Sequence, residues 1–279
     1  MYIHILGVSY ALLAALLFGI ADFSGGYASK KLHQFQVLIY TTFFGIISVG
    51  VIALILKQSL PSFHDSMIMF SGGVLGALGL AFLFKGLSEG KACIVSPTAG
   101  VVGAIIPLIF SSLFITMPTI VQGLGFVIGL MSIWLVSQHE KNNDAGFKDL
   151  MYGILAGLSF GLFFILIAQA NTTNIFSGLL IAKIGSFLAA LVLLKSNNKM
   201  IPSIKIAKIA ILSGVIDAFS NVLYLFAKEN TRLDIAVVLS SLYPVVTVIL
   251  SRFFYKEILT IKQIVGLILS FIAIALVSI

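Results

Sequence analysis

Asp22, Lys183 and Asp217 all fall inside long apolar runs of this chain. In hydrocarbon such a side chain costs about 2.5–3.5 kcal/mol on insertion scales, so it normally faces a bundle interior, pairs with an opposite charge and marks a substrate or ion pathway. Lys183 is near the middle of the run 175–194 and Asp217 near the middle of 209–227. Similar depth predicts that the two neutralise each other in at least one state. An ammonium held there can attract an anionic substrate group or exchange partners. A buried carboxylate, Asp217 or Asp22, can take up and release a coupling proton. The plainer alternative is a structural ion pair that ties two helices together.

Asp217, Asn221, Tyr224 and Lys228 recur at i, i+4, i+7 and i+11. On a helix this draws one polar stripe, which must face a cavity or another helix. Interhelical hydrogen bonding alone would also account for it. Asp22 lies late in its run, between Gly19 and Gly25-Gly26, and faces either the pathway or interfacial water. Pro97, Pro107 and Pro244 also fall inside apolar runs. Each removes a helix hydrogen bond and can kink its helix. In transporters, broken helices of this kind often line the site, which makes Pro97 and Pro107 candidate hinges; passive kinks are the alternative.

Other chemistries lack their residues. Gly86-x3-Gly90-Lys91-Ala92 is one residue short of a phosphate loop and has no Ser or Thr for magnesium. His4, His33, His64 and His139 show no metal-ligand spacing. No cofactor and no metal site is therefore expected. A membrane-embedded enzyme acting on lipid or isoprenoid would need acids or histidines clustered at one membrane face, and none are evident.

The elements that position these residues follow from composition. Of 279 residues, 59% are hydrophobic and 10% charged, with a mean hydropathy of +1.14. A soluble domain needs roughly a quarter charged residues, so the outer surface must face lipid. The net charge of +7 does not point to nucleic acid, because the basic residues flank apolar runs. The single cysteine, Cys93, rules out an intrachain disulfide. Apolar runs fall near 5–27, 35–56, 66–84, 92–115, 119–137, 151–170, 175–194, 209–227, 235–254 and 261–279. Each matches the roughly 20 residues that a spanning helix needs, and lipid leaves the backbone no alternative to helix. The first run exceeds a signal-peptide core and reads as a retained helix. The short loops leave no room for a soluble catalytic domain.

The chain also repeats itself. Thr119–Ser137 lies over Thr260–Ser278 with eight identities in nineteen, including Thr119/Thr260, Gln122/Gln263 and Gly125/Gly266. Tyr10–Ala28 lies over Tyr152–Ala170, pairing Tyr10/Tyr152, Phe18/Phe160 and Gly19/Gly161. The halves divide as 1–140 and 141–279. Five spans per half is an odd number, so the second half enters the membrane inverted, a construction common in secondary transporters. The expected fold is an all-α polytopic membrane protein of about ten transmembrane helices in two inverted five-helix repeats. Gly72/Gly76, Gly125/Gly129 and Gly153/Gly157/Gly161 read as helix-packing faces.

FGIADFSGGYASKK (18–31), FKGLSEGKACIVSPTAGVVGAIIP (84–107), SGLLIAKIGS (177–186) and above all the run 213–269 resemble the drug/metabolite transporter superfamily, specifically its EamA-like ten-helix members. The resemblance implies export of small metabolites or drugs through a cavity bounded by helices 1, 4, 7, 8 and 9. It adds Tyr243 and Pro244, in the Leu-Ser-Ser-Leu-Tyr-Pro run, to the pathway residues. One departure is visible: the first-half counterpart of Glu257 is Thr116, where the family commonly has an acid. Thirteen Lys/Arg lie in loops after odd-numbered spans and three in loops after even ones. The positive-inside rule then places both termini outside the cytoplasm, whereas the resemblance implies both inside.

The sequence therefore predicts a secondary transporter working by alternating access in a bacterial plasma membrane. Its partners would be the bilayer, a small-molecule substrate and a coupling proton. A lipid enzyme, a passive channel and a scaffold are the alternatives.

Overall fold

A computed structural model describes residues 2–114, 117, 119–137, 143–170, 174–230, 239–240 and 242–278. Among the described residues there are ten helices and no strand. They are α1 (Tyr2–Ser29), α2 (Gln34–Ile55), α3 (Phe63–Glu89), α4 (Ala92–Phe114), α5 (Ile120–Ser137), α6 (Asn143–Gln169), α7 (Ile175–Ser196), α8 (Lys208–Asn230), α9 (Tyr243–Tyr255) and α10 (Ile261–Ser278). Seven of them, α1–α4 and α6–α8, are long and apolar enough to cross a bilayer, and α5, α9 and α10 are shorter apolar helices. Exposed Leu, Ile, Val and Phe side chains run along most of the helices, as a lipid-facing surface requires. The start of the expected ninth span, 235–238, lies outside the described residues.

The helices alternate in direction, and the loops confirm the two faces. The α1–α2 turn meets the α7–α8 loop, where Gln36 Nε2 donates to Met200 O (2.7 Å) and Tyr40 Oη to Pro202 O (2.6 Å). At the opposite face the α2–α3 loop caps α7, and Gln58 Oε1 accepts from the Phe176 and Ser177 amides (2.9 and 3.1 Å). The loops after α1, α3, α5, α7 and α9 carry most of the Lys and Arg, so the first of these is the basic face.

The largest helix interfaces join one half of the chain to the other: α1 with α8, α5 with α10, α4 with α6, α3 with α6 and α7, and α2 with α7. The pattern survives exchange of each helix with the one five places on. Thus α1–α8 maps onto α3–α6, α3–α7 onto α2–α8, and α4–α6 onto α1–α9, as two interleaved inverted repeats require. Glycine permits this closeness. Along α6, a Cβ at Gly153, Gly157 or Gly161 would meet Thr98 Cβ (2.7 Å), Val102 Cβ (2.6 Å) or Ile106 Cβ (2.5 Å) on α4. One stripe of small residues therefore sets the α4–α6 separation.

Candidate functional site

Lys183 of α7 and Asp217 of α8 form an ion pair, with Lys183 Nζ donating to Asp217 Oδ2. Their side chains are only 13% and 16% exposed, so the predicted pair forms within the protein. α7 and α8 themselves hardly touch; α2 packs between them and against both. The lysine crosses α2 at Gly45, where a Cβ would lie 3.4, 3.6 and 3.9 Å from Lys183 Cδ, Cε and Nζ. The missing side chain of Gly45 is thus the gap through which the ammonium reaches its partner. Sequence reading missed this glycine because it belongs to no repeating small-residue pattern. Its only local signal was an apolar helix whose small residue follows Thr41 by one turn.

Asp217 is held further by its own helix. Asn221 Nδ2 donates to Asp217 O (2.7 Å) and lies 3.5 Å from Oδ1. The predicted stripe therefore begins as a fixed carboxylate–amide pair. Tyr224 is half-buried one turn beyond Asn221, and the Lys228 side chain lies outside the described residues. One turn back, Gly214 packs onto the Thr41 backbone of α2, and Ser213 Oγ donates to Ala21 O on α1 (2.8 Å). That contact seats α8 beside Asp22, the next residue on α1.

Asp22 is half-buried and lies within electrostatic range of Asp217, as Tyr243 does of Asp22. Tyr243 begins α9, meets the Phe18 ring edge-on (centroids 6.5 Å apart) and borders Gly100 of α4. Thr247 Oγ1, one turn on, lies 3.3 Å from Gly19 O of α1. Pro244 occupies the first turn of α9, where its missing N–H leaves no intrahelical bond unmade. Pro97 and Pro107 both lie inside α4, which remains helical through them. Lys183, Asp217, Asp22 and Tyr243 therefore converge from α7, α8, α1 and α9, with α4 alongside Tyr243. Lys183 pairs with Asp217, and the second carboxylate, Asp22, lies within electrostatic range of Asp217. With both acids ionised the cluster carries one uncompensated negative charge, which a proton or a cationic group can neutralise.

Residues 5–138 and 148–279 each match the EamA-like transporter family. The chain belongs to the EamA-like transporter family. The two matches cover the two halves, in keeping with the repeat and with the interleaved packing. An uncharacterized protein of Methanocaldococcus jannaschii is 33% identical over 133 residues, which is 47% of this chain and 96% of that protein. The relative is thus about as long as one half. A solved crystal structure shares the fold, with a TM-score of 0.64 at 14% identity over 100% of this chain and 99% of that one. This EamA-like protein is accordingly an integral membrane protein of a transporter family. Among the described residues no group of three or more His, Cys, Asp or Glu is placed to hold a metal ion.

Proposed function

We propose that this EamA-like protein is a secondary transporter that exports small organic metabolites or drugs from a bacterial cell across the plasma membrane. It works by alternating access between its two inverted halves, coupled to an ion gradient or to exchange. The observation that carries this reading is the Lys183–Asp217 pair, buried between α7 and α8 where the lysine passes Gly45 of α2. Breaking such a pair leaves an uncompensated buried charge, at a cost of about 3–5 kcal/mol. It therefore opens readily only when another charge takes the place of one partner. A substrate carboxylate replacing Asp217 beside Lys183 meets that condition, and the released Asp217 can then take up the coupling proton. Asp22 supplies the second carboxylate to which the proton can pass.

In this cycle Asp217 and Asn221 form one wall of the site, Lys183 the opposite wall, and Tyr224 and Tyr243 its aromatic ends. Pro97 and Pro107 serve as hinges in α4, since each leaves a carbonyl one turn back without its helical partner. The test is proton-dependent transport in proteoliposomes with Asp22→Asn and Asp217→Asn. Loss of the proton dependence in one variant identifies the carrier. Full retention in both excludes the two acids from that role.

A further inference from the structure

At the basic face, two acids from the second half close on the start of α4. Asp149 of α6 is buried, and its Oδ2 accepts the Lys91 amide (2.9 Å). Glu257, in the loop between α9 and α10, accepts the Ala92 amide through Oε1 (3.2 Å) and also the Cys93 amide. The first amides of a helix have no intrahelical partner and carry the positive end of its dipole, so carboxylates bind there strongly. Two features shape this contact. Gly90 makes room for Asp149, whose carboxylate a Cβ at position 90 would overlap. Lys256 adopts left-handed backbone (φ 54°, ψ 35°) and turns the chain from the end of α9 back towards α4.

The same face is closed between α1 and α9. Tyr27 stacks on Tyr255 (5.9 Å, interplanar angle 5°), and Lys30 Nζ lies 3.2 Å from the Tyr255 ring centroid. Glu257 Oε2 and Tyr255 Oη are buried and make no hydrogen bond. Glu257 is therefore only half used in hydrogen bonding: one oxygen holds α4 and the other accepts no hydrogen bond, which suits a contact that must release. Burial raises its pKa, against the opposing pull of the Ala92 and Cys93 amides and of Lys91 and Lys30. Directly behind the two acids lies Cys93, fully buried against Ile94, Val136, Val248 and Leu267. The first half has no such pair, because the residues at the positions of Glu257 and Asp149 are Thr116 and Gly7.

We infer that Asp149 and Glu257 form a releasable latch that holds the basic-face gate of the transporter shut on the N-terminus of α4, with Cys93 sealed behind it. Both are positioning residues and touch no substrate. The inference rests on the transporter reading for its meaning, but its test needs no substrate. Because Cys93 is the single thiol, its modification reports the latch directly.

The full-length protein is placed in vesicles of both orientations and treated with a membrane-impermeant maleimide at pH 8, and labelling is followed by mass spectrometry. The wild type should label slowly. Glu257→Ala, and Gly90→Ala, which dislodges Asp149 without changing any charge, should each label at least about tenfold faster, and only when the reagent is on the basic face. Rates within about twofold of wild type in both variants would overturn the latch. So would acceleration from both sides alike, which signals general loosening. Should neither variant fold, hydrogen exchange of the wild type decides: the Lys91–Cys93 amides must open together and faster than the centre of α4. Exchange only by global unfolding would refute the latch. Labelling that responds in a protein without flux keeps the latch and removes transport, whereas flux with an unresponsive Cys93 does the reverse.

Discussion

Gly45→Val tests how the ion pair is built. A Cβ at this position would lie 3.4 Å from Lys183 Cδ and 3.6 Å from Cε, which is ordinary van der Waals contact. Alanine should therefore fit and, by its better helix propensity, stabilise by up to about 1 kcal/mol. Valine adds two methyl carbons roughly 1.5 Å further out, and at least one of them enters the volume of the lysine stem. Lys183 must then withdraw from Asp217, and both charges are more than four-fifths buried. Rupture of a buried pair costs about 3–5 kcal/mol; with the ammonium still nearby to adjust, about 2–3 kcal/mol is expected. Thermal unfolding in detergent measures the three proteins, and a double-mutant cycle assigns the cause. In a Lys183→Ala background there is no stem to displace, so Gly45→Val should cost under about 1 kcal/mol. An equal cost with and without Lys183 would refute the reasoning, because the valine would then be acting on the helix packing alone.

Four further outcomes follow from the geometry. A Cβ at Gly73 would overlap the Ala182 carbonyl of α7, so Gly73→Ala should force α3 and α7 apart and lower stability by about 1–3 kcal/mol, measured as a fall in melting temperature. Lys256→Gly relieves a left-handed backbone and should stabilise by about 1 kcal/mol. Burial raises the Glu257 pKa; the native state therefore holds its proton to higher pH than the unfolded chain. Its stabilising contribution is present below the ordinary glutamate range and is lost as pH rises through the raised value. The melting temperature of wild type minus that of Glu257→Gln should fall across that window; a flat difference would contradict the shift. His33 caps α2 by accepting the Phe35 amide on Nδ1 (3.5 Å), which requires the neutral ring. Burial and then Lys199 and Lys85 lower its pKa, so its contribution is present at neutral pH and is lost as pH falls through its lowered pKa. His33→Ala should cost about 0.5 kcal/mol at pH 8 and less at pH 5.

Much of the fold was legible because lipid imposes simple rules. Apolar length locates helices, and an odd number of spans per repeat forces inversion. Lys183 and Asp217 were legible for the same reason: at their depth a charge must find a partner, and the two could be matched by position along their helices. What the sequence did not carry was the third body in that contact. Gly45 has no chemistry of its own and matters only because α2 runs between α7 and α8. Asp149 was likewise hidden, since an acid at the edge of a span is common and its partners, Gly90 and the start of α4, are 58 or more residues away. Glu257 could be read from its resemblance, but not its attachment to the Ala92 amide across 165 residues. Pro244 illustrates a different limit: a proline inside an apolar run reads as a kink until the start of the helix is known, and here it falls in the first turn of α9.

The most direct measurement is substrate counterflow in proteoliposomes, screening amino acids, nucleosides and cationic drugs, with Lys183→Ala beside the wild type. Saturable counterflow of at least one compound, lost in Lys183→Ala while the helical content is retained, is the predicted result. Counterflow undiminished in Lys183→Ala, or no flux of any compound through well-folded wild type, would contradict a carrier built around the Lys183–Asp217 pair.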